Sequence, residues 1–393
     1  MNTTQPILFT PGPTQIPERV LGAMSISNLH HRTPEFENAF ISVTRRIQKL
    51  FNLETPAILL AASGSGAMES AVINLCGEND KLLSLNSGKF GERWGEIASA
   101  CKISSVEHQI EWGQSVDLGR LESTLLANRD VSVVCMQHCE TSTTVLHPVR
   151  EICALVRRIL PNAITVVDAI SSALSSQIDA QENSIDLLLT ASQKAFMLPP
   201  GLVMLGLSNR AWAKCEQVKS GSLYFDLVNE RKGQLKGVAA WTPATSLIMG
   251  LAEVLSIIEE ITPEKLIERH LAYQKFFRKI LATFKLTPLA VEYPANCVTG
   301  FKFKNTGLAS LLRSKLLEQQ ILVAGGQDQW KDTVVRIGHM GLYSIEQLMH
   351  FASAFERSIH ELGLSTGTHL NLNEIKNLLH NSSCFDFEII DNL

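Results

Sequence analysis

Apolar residues along the chain fall into two rhythms. Phe36, Phe40, Val43, Ile47 and Phe51 recur every three or four positions, the spacing of one buried helix face, and predict a helix over 34–51. Short apolar runs without that rhythm predict buried strands at 57–60, 81–85, 131–136, 164–167, 187–189 and 202–205, with helical stretches at 67–75, 94–101 and 149–160 between them. Strands alternating with helices predict an α/β fold, a mostly parallel sheet covered on both faces. Ahead of it, Pro11 and Pro13 flank Gly12. Proline fixes its own backbone angle and restricts the residue before it, so this stretch predicts an extended arm with one bend. Pro17 stands where a helix carrying Val20, Leu21 and Met24 can begin.

After Trp241-Thr242-Pro243 the pattern changes. Helices are predicted at 246–258 and 263–284, strands at 289–293 and 298–303, a helix at 309–319 and a strand at 334–337. A closing helix at 344–362 carries Leu348, Phe351, Phe355, Ile359 and Leu362 on one face. The expected division is an arm over 1–15, a large domain over 16–255, a smaller α+β domain over 256–364 and an extension over 365–393. Within the extension, 370–379 predicts a helix capped by Asn371 or Asn373, and 384–390 an edge strand.

Composition narrows the function classes. With 45% hydrophobic and 19% charged residues in 393, the chain can bury a large core. A net charge of -4, from 35 basic and 39 acidic residues, gives no nucleic-acid footprint. No apolar run reaches membrane-spanning length, residues 1–6 hold no apolar targeting segment, and the 8 cysteines show no CxxC spacing. The expectation is a soluble, cytoplasmic protein without a metal site, a membrane or a nucleic-acid partner.

Four local features carry chemistry, and each has a plainer alternative. Ser63-Gly64-Ser65-Gly66 sits at a strand-to-helix turn, where free N–H groups attract a phosphate, or is an ordinary tight turn. Asp168 ends an apolar run, where it can hold a protonated ring nitrogen or cap a following helix. Lys194 follows a buried strand among small and apolar neighbours, where desolvation favours the neutral, nucleophilic amine, or its stem covers apolar surface while its head stays wet. Arg336 lies within Val334-Val335-Arg336-Ile337 and needs an anionic partner, either a substrate carboxylate or an internal salt bridge.

Taken in order, these and further stretches resemble one family. They are 10–14 (TPGPT), 31–36 (HRTPEF), 63–69 (SGSGAME), 86–93 (NSGKFGER), 138–143 (HCETST), Val167-Asp168, Ser192-Gln193-Lys194, 325–328 (GGQD) and 336–341 (RIGHMG). The chain resembles the class V aminotransferases of fold type I, in the alanine–glyoxylate and serine–pyruvate group, over residues 8 to 363. That resemblance implies pyridoxal 5′-phosphate held covalently by Lys194, with Asp168 on the pyridine nitrogen. It implies a phosphate held by Ser63, Gly64, Ser65 and Gln193, and a ring stacked by Phe90 and touched at its side by Thr141. Arg336 would bind the α-carboxylate and Gly12 would line the substrate pocket. Thr242 would reach the phosphate of a neighbouring subunit in a homodimer with shared sites, in a segment lacking the tyrosine that some members carry upstream. The implied activity is amino transfer from alanine or serine to glyoxylate or another small 2-oxo acid. A lyase or desulfurase of the same fold, or a non-catalytic aminotransferase-like subunit, is the alternative. No loop cysteine is assignable to persulfide chemistry, and Cys297 reads as structural.

Overall fold

The computed structural model describes residues 5–25 and 29–380. The edge strand expected at 384–390 lies outside the described residues. The strands are β1 (Ile7–Phe9), β2 (Ile58–Leu60), β3 (Lys81–Asn86), β4 (Ser104–Gln109), β5 (Val133–Gln137), β6 (Cys139–Glu140), β7 (Val145–Leu146), β8 (Ile164–Asp168), β9 (Leu187–Ala191), β10 (Val203–Leu207), β11 (Val298–Lys302), β12 (Ile321–Gly325) and β13 (Val334–Gly338). The helices are α1 (Glu18–Ser25), α2 (Pro34–Leu50), α3 (Gly64–Leu75), α4 (Lys89–Ala100), α5 (Leu118–Ala127), α6 (Val149–Ile159), α7 (Asn209–Val218), α8 (Leu227–Gln234), α9 (Thr245–Ile261), α10 (Pro263–Thr283), α11 (Leu308–Glu318), α12 (Ile345–Glu361) and α13 (Leu372–His380).

Seven strands form the main sheet in the order β2-β10-β9-β8-β5-β3-β4. β9, β8, β5, β3 and β4 are parallel, and β10 runs against both its neighbours. Alternation explains why these strands read as unbroken apolar runs. Val134, Met136, Val167 and Leu188 enter the core on one face, while Val133, Cys135, Val166 and Leu187 enter the core on the other. A strand buried on both faces needs no polar side chain. The architecture is that of fold type I, with a mixed central sheet flanked by helices.

A second sheet, β1-β12-β13-β11, joins the N-terminal arm to the C-terminal part of the chain. β1 pairs parallel to β12 through Ile7↔Ile321 to Phe9↔Val323. Phe9 is fully buried there, stacked on Tyr343 at 4.7 Å and edge-on to Phe277 and Phe351. Hydrophobic contact with α10 and α12 therefore holds the arm that two prolines keep from being a helix.

One predicted strand is corrected. Residues 289–293 form no strand; only an isolated bridge, Pro288 to Phe301, and one from Pro294 to Val145 frame that stretch. Prolines at both ends remove ladder donors. The helix expected from residue 67 begins at Gly64, inside the small-residue turn. The second core helix, α9, runs unbroken across residue 256 and packs on α1 and α2. Among the described residues no helix is long and apolar enough to cross a membrane.

Candidate active site

The carboxyl ends of the parallel strands converge on a cavity of about 140 Å³. In an open α/β sheet this edge collects free strand ends and helix starts, so ligands bind there. Its lining includes Ser63, Gly64, Ser65, Phe90, Asp168, Gln193 and Lys194, so the structure brings seven of the sequence-predicted residues to one place.

Asp168 is the last residue of β8. One carboxylate oxygen accepts from the Ile170 N–H at 2.8 Å, the turn that the capping alternative required. Burial nevertheless pushes this carboxyl up to about 7, against the Ile170 hydrogen bond, and the Glu140 charge adds to the rise. A cation placed against it would restore the carboxylate.

Lys194 stands three residues beyond β9. Burial holds its amine below the usual lysine range, opposed by Cys297, Asp168 and Cys139. The amine donates to the Pro11 carbonyl, and Thr14 Oγ1 donates to the Lys194 carbonyl at 3.0 Å. Gly12 packs directly on the lysine stem. It has a φ of +99°, and a Cβ there would lie 2.7 Å from Lys194 Cδ and 2.8 Å from Nζ. The arm thus forms one wall around the amine, and only glycine fits that wall.

The start of α3 faces the same cavity. Its N-cap, Ser63, makes no side-chain capping bond, so its hydroxyl and the first helical N–H groups remain available to an anion. Gly64 admits Ile170, whose Cδ1 would sit 2.5 Å from an added Cβ. Gln193 Oε1 is buried without a hydrogen-bond partner. Arg93, not singled out in the sequence, donates to Ser65 Oγ at 3.1 Å and lies 5.1 Å over the Phe90 ring.

Thr141 and Arg336 form a neighbouring wall. Arg336 Nη1 donates to the Thr141 carbonyl at 3.0 Å and Nε to the Gly325 carbonyl at 2.8 Å. Among the described residues no carboxylate lies within 4.0 Å of this guanidinium, so the internal salt bridge is absent. Burial lowers Arg336 to about 10, while Glu140 acts in the opposite direction. Glu140 is itself committed elsewhere. It accepts from the Phe90, Gly91 and Ser142 N–H groups at 3.0, 2.9 and 3.1 Å, and from Ser142 Oγ at 2.6 Å. A buried carboxylate at the start of α4 therefore fixes the Phe90 ring and the 140–142 loop together. The residue alone gives no sign of this, because two of its partners are the backbone N–H groups of Phe90 and Gly91, about fifty residues away.

Thr242 lies apart, exposed beside Trp241 and Pro243 in a separate small cleft with Tyr224. Cys297 lies directly before β11, where the sequence placed it, buried in the core with its Sγ 3.5 Å from that of Cys139, a cavity residue. A larger cleft of about 270 Å³, around Arg157, Asp186 and Arg210, sits at the start of β9 and the end of β10, away from this edge.

The residues present fit pyridoxal phosphate. A partnerless Gln193 oxygen, an uncapped helix start, a carboxyl awaiting a cation and a desolvated lysine share one cavity. Comparison with known proteins agrees. The family model described as aminotransferase class-V matches residues 7–347. An uncharacterised aminotransferase of Helicobacter pylori (strain J99) is 33% identical over 366 residues, covering 91% of this chain and 95% of the relative. A serine–glyoxylate aminotransferase of Methylorubrum extorquens is 29% identical, covering 91% of this chain and 92% of the relative. The crystal structure of an aspartate aminotransferase of subgroup IV from Thermus thermophilus superposes with a TM-score of 0.84 at 26% identity, covering 90% and 99% of the two chains.

Proposed function

The chain belongs to the class V aminotransferases and works with pyridoxal phosphate; from that premise we propose that it moves an amino group from alanine or serine to glyoxylate or another small 2-oxo acid. Transamination of small amino and 2-oxo acids is the general activity; the pair of substrates is the proposal. Serine and glyoxylate are named for the Methylorubrum relative, and aspartate for the Thermus structure. The observation that carries the small-substrate reading is Arg336, a buried guanidinium whose partners are carbonyl oxygens and no carboxylate. It leaves one strong anchor for one carboxylate.

When bound, the cofactor supplies a carbonyl carbon for the lysine amine and a protonated ring that draws electrons from the substrate Cα. The chain's own groups do the rest. Asp168 would keep the ring nitrogen protonated, Ser63, Gly64, Ser65 and Gln193 would hold the phosphate, and Phe90 would pack on the ring. Thr141 borders its side, and Gly12 with the Pro11 carbonyl closes the site over Lys194. Arg336 would hold the α-carboxylate so that the Cα–H faces the Lys194 amine, which would take that proton once the substrate amine has replaced it on the cofactor. Thr242, on the exposed surface, would reach the phosphate of a partner subunit in a homodimer.

The test is a pair of half-reactions. Protein carrying the cofactor is mixed with alanine, serine or aspartate without an acceptor, and loss of the visible band is followed. The aminated form is then titrated with glyoxylate, pyruvate and larger 2-oxo acids. Fast bleaching by alanine or serine and recovery by glyoxylate are expected. Faster bleaching by aspartate overturns the donor assignment, and ammonia release without cofactor amination moves the protein to lyase chemistry. Borohydride should fix the cofactor to the peptide bearing Lys194; label elsewhere overturns its role.

A further inference from the structure

We propose that Glu356, His360 and His369 form a binding site for a divalent transition-metal ion, zinc in the first instance, which staples the C-terminal segment to α12. The site lies outside the cavity described above, on the far side of the second sheet's helices.

Glu356 and His360 are four residues apart on α12, so both side chains leave the same helix face. After α12 the chain reverses. Gly363 and Gly367 take φ values of +64° and +74°, which glycine adopts without steric cost. The reversal returns His369 to the helix. One ligand atom from each of the three residues lies within 4.8 Å of the others. Two ligands about 2.1 Å from a tetrahedral zinc stand roughly 3.4 Å apart. His369 Nδ1 lies 2.8 Å from Glu356 Oε1, a hydrogen bond whose proton an ion would displace to solvent as the two atoms part by about 0.6 Å, and the His369 side chain is 71% exposed, which leaves room for that shift.

The surroundings set the donors as a metal requires. His360 Nε2 lies 2.8 Å from the Thr368 carbonyl, which can only accept. Nε2 therefore carries the proton and Nδ1 the lone pair, the arrangement in which a ligating histidine gives its other N–H to a carbonyl. The Phe284 edge, 6.1 Å away at 83°, walls the His360 ring, and the His369 ring meets His360 edge-on at 5.1 Å. Glu356 is mostly buried, at 17% side-chain exposure, so its carboxylate gains from a cation at close range. Two imidazoles and one carboxylate suit zinc, and leave a fourth position to water. Leu370, Ile375 and Leu379 bury the following helix, α13, against α10 and α12, so an ion at His369 would fasten the entry to an element that is otherwise held by packing.

The experiment uses full-length protein carrying its cofactor, stripped with a chelator and titrated with zinc by calorimetry and equilibrium dialysis. One saturable ion per chain is expected. His369→Ala, which removes an exposed side chain, and Glu356→Gln should each weaken uptake roughly tenfold or more while leaving transamination intact. Zinc should also slow tryptic cleavage after the exposed Lys376 in the parent protein and not in His369→Ala. Equal zinc uptake by the parent and His369→Ala overturns the site, as does the lack of any saturable uptake. Uptake that leaves cleavage after Lys376 unchanged overturns the staple.

Discussion

Arg336 keeps its charge in a wall where only carbonyl oxygens meet it. Removing a buried charged partner costs about 2–5 kcal/mol of binding. Arg336→Ala should therefore raise the half-saturating concentrations of donor and acceptor alike by thirtyfold or more, with the visible band of the resting enzyme preserved. An unchanged requirement for both would show that the carboxylate binds elsewhere. Asp168 makes a different test. Its folded value of about 7 exceeds the usual 3.8, so between these the cofactor-free fold holds a proton that the unfolded chain has lost. Stability then falls as pH rises through that window, by on the order of 4 kcal/mol. Urea midpoints of cofactor-free protein from pH 4 to 7 should drop more steeply for the parent than for Asp168→Asn, and the cofactor should flatten the parent's curve. Parallel curves would sink the assignment. Asp168 and Lys194 were legible because one ends a buried strand and the other follows one, where a charge among apolar residues stands out. Glu140 and Arg93 were not, since a glutamate in a loop and an arginine on a helix look solvated until the fold brings distant backbone and hydroxyl groups to them.

Elements that the sequence left faint turn out to shape the site. β1 is three residues long, yet it carries Pro11 and Gly12 to Lys194, and Gly338 at the end of β13 lies against Thr10 and Pro11 just after it. A methyl on Gly338 would coincide with the backbone of Thr10 and Pro11, which cannot rotate away as a side chain would. Gly338→Ala should cost about 1–3 kcal/mol and take transamination with it, because the arm must lift from Lys194. Ser344→Ala serves as the comparison. It breaks the capping box of α12, where Ser344 and Gln347 bond reciprocally, and should cost about 1 kcal/mol with activity kept. Loss of activity in both would mean that turnover tracks stability rather than the arm. The helices α2 and α12 were legible from their apolar period, α9 from its long apolar run, and the central strands from burial on both faces. β4 was not, because it is a sheet edge reading Ser-Ser-Val-Glu-His-Gln with one face wet. The stretch 289–293 misled for the opposite reason: Val291 and Tyr293 are apolar but exposed, and nothing pairs with them as a strand.

At the scale of the whole molecule, we propose that the two sheets define the units expected from the sequence, with α9 as the rod between them, and that two copies share their sites. The surface beside Thr242 supports the second idea. Leu223 is 77% exposed and Tyr224 44%, and the Tyr224 ring stacks at 6.0 Å on Trp241, next to Thr242. Exposed apolar groups clustered this way mark an interaction surface. In a two-fold dimer residue i of one chain meets residue j of the other, and j meets i, so a Thr242 patch set against the partner's cavity would give each site Lys194 from one chain and Thr242 from the other. Complementation follows from that geometry. Lys194→Ala removes the amine, and Thr242→Asp puts a like charge against the phosphate, so each variant alone should be inactive. In a mixed dimer one site collects both changes and the other collects neither. Random reassortment places half the chains in mixed dimers with one of two sites intact, so activity should recover to about a quarter of the parent's. Recovery must also depend on dissociating and reassociating the two variants together, since intact dimers cannot exchange subunits. No recovery after verified mixing, or a Thr242→Asp protein as active as the parent, would place the whole site within one chain.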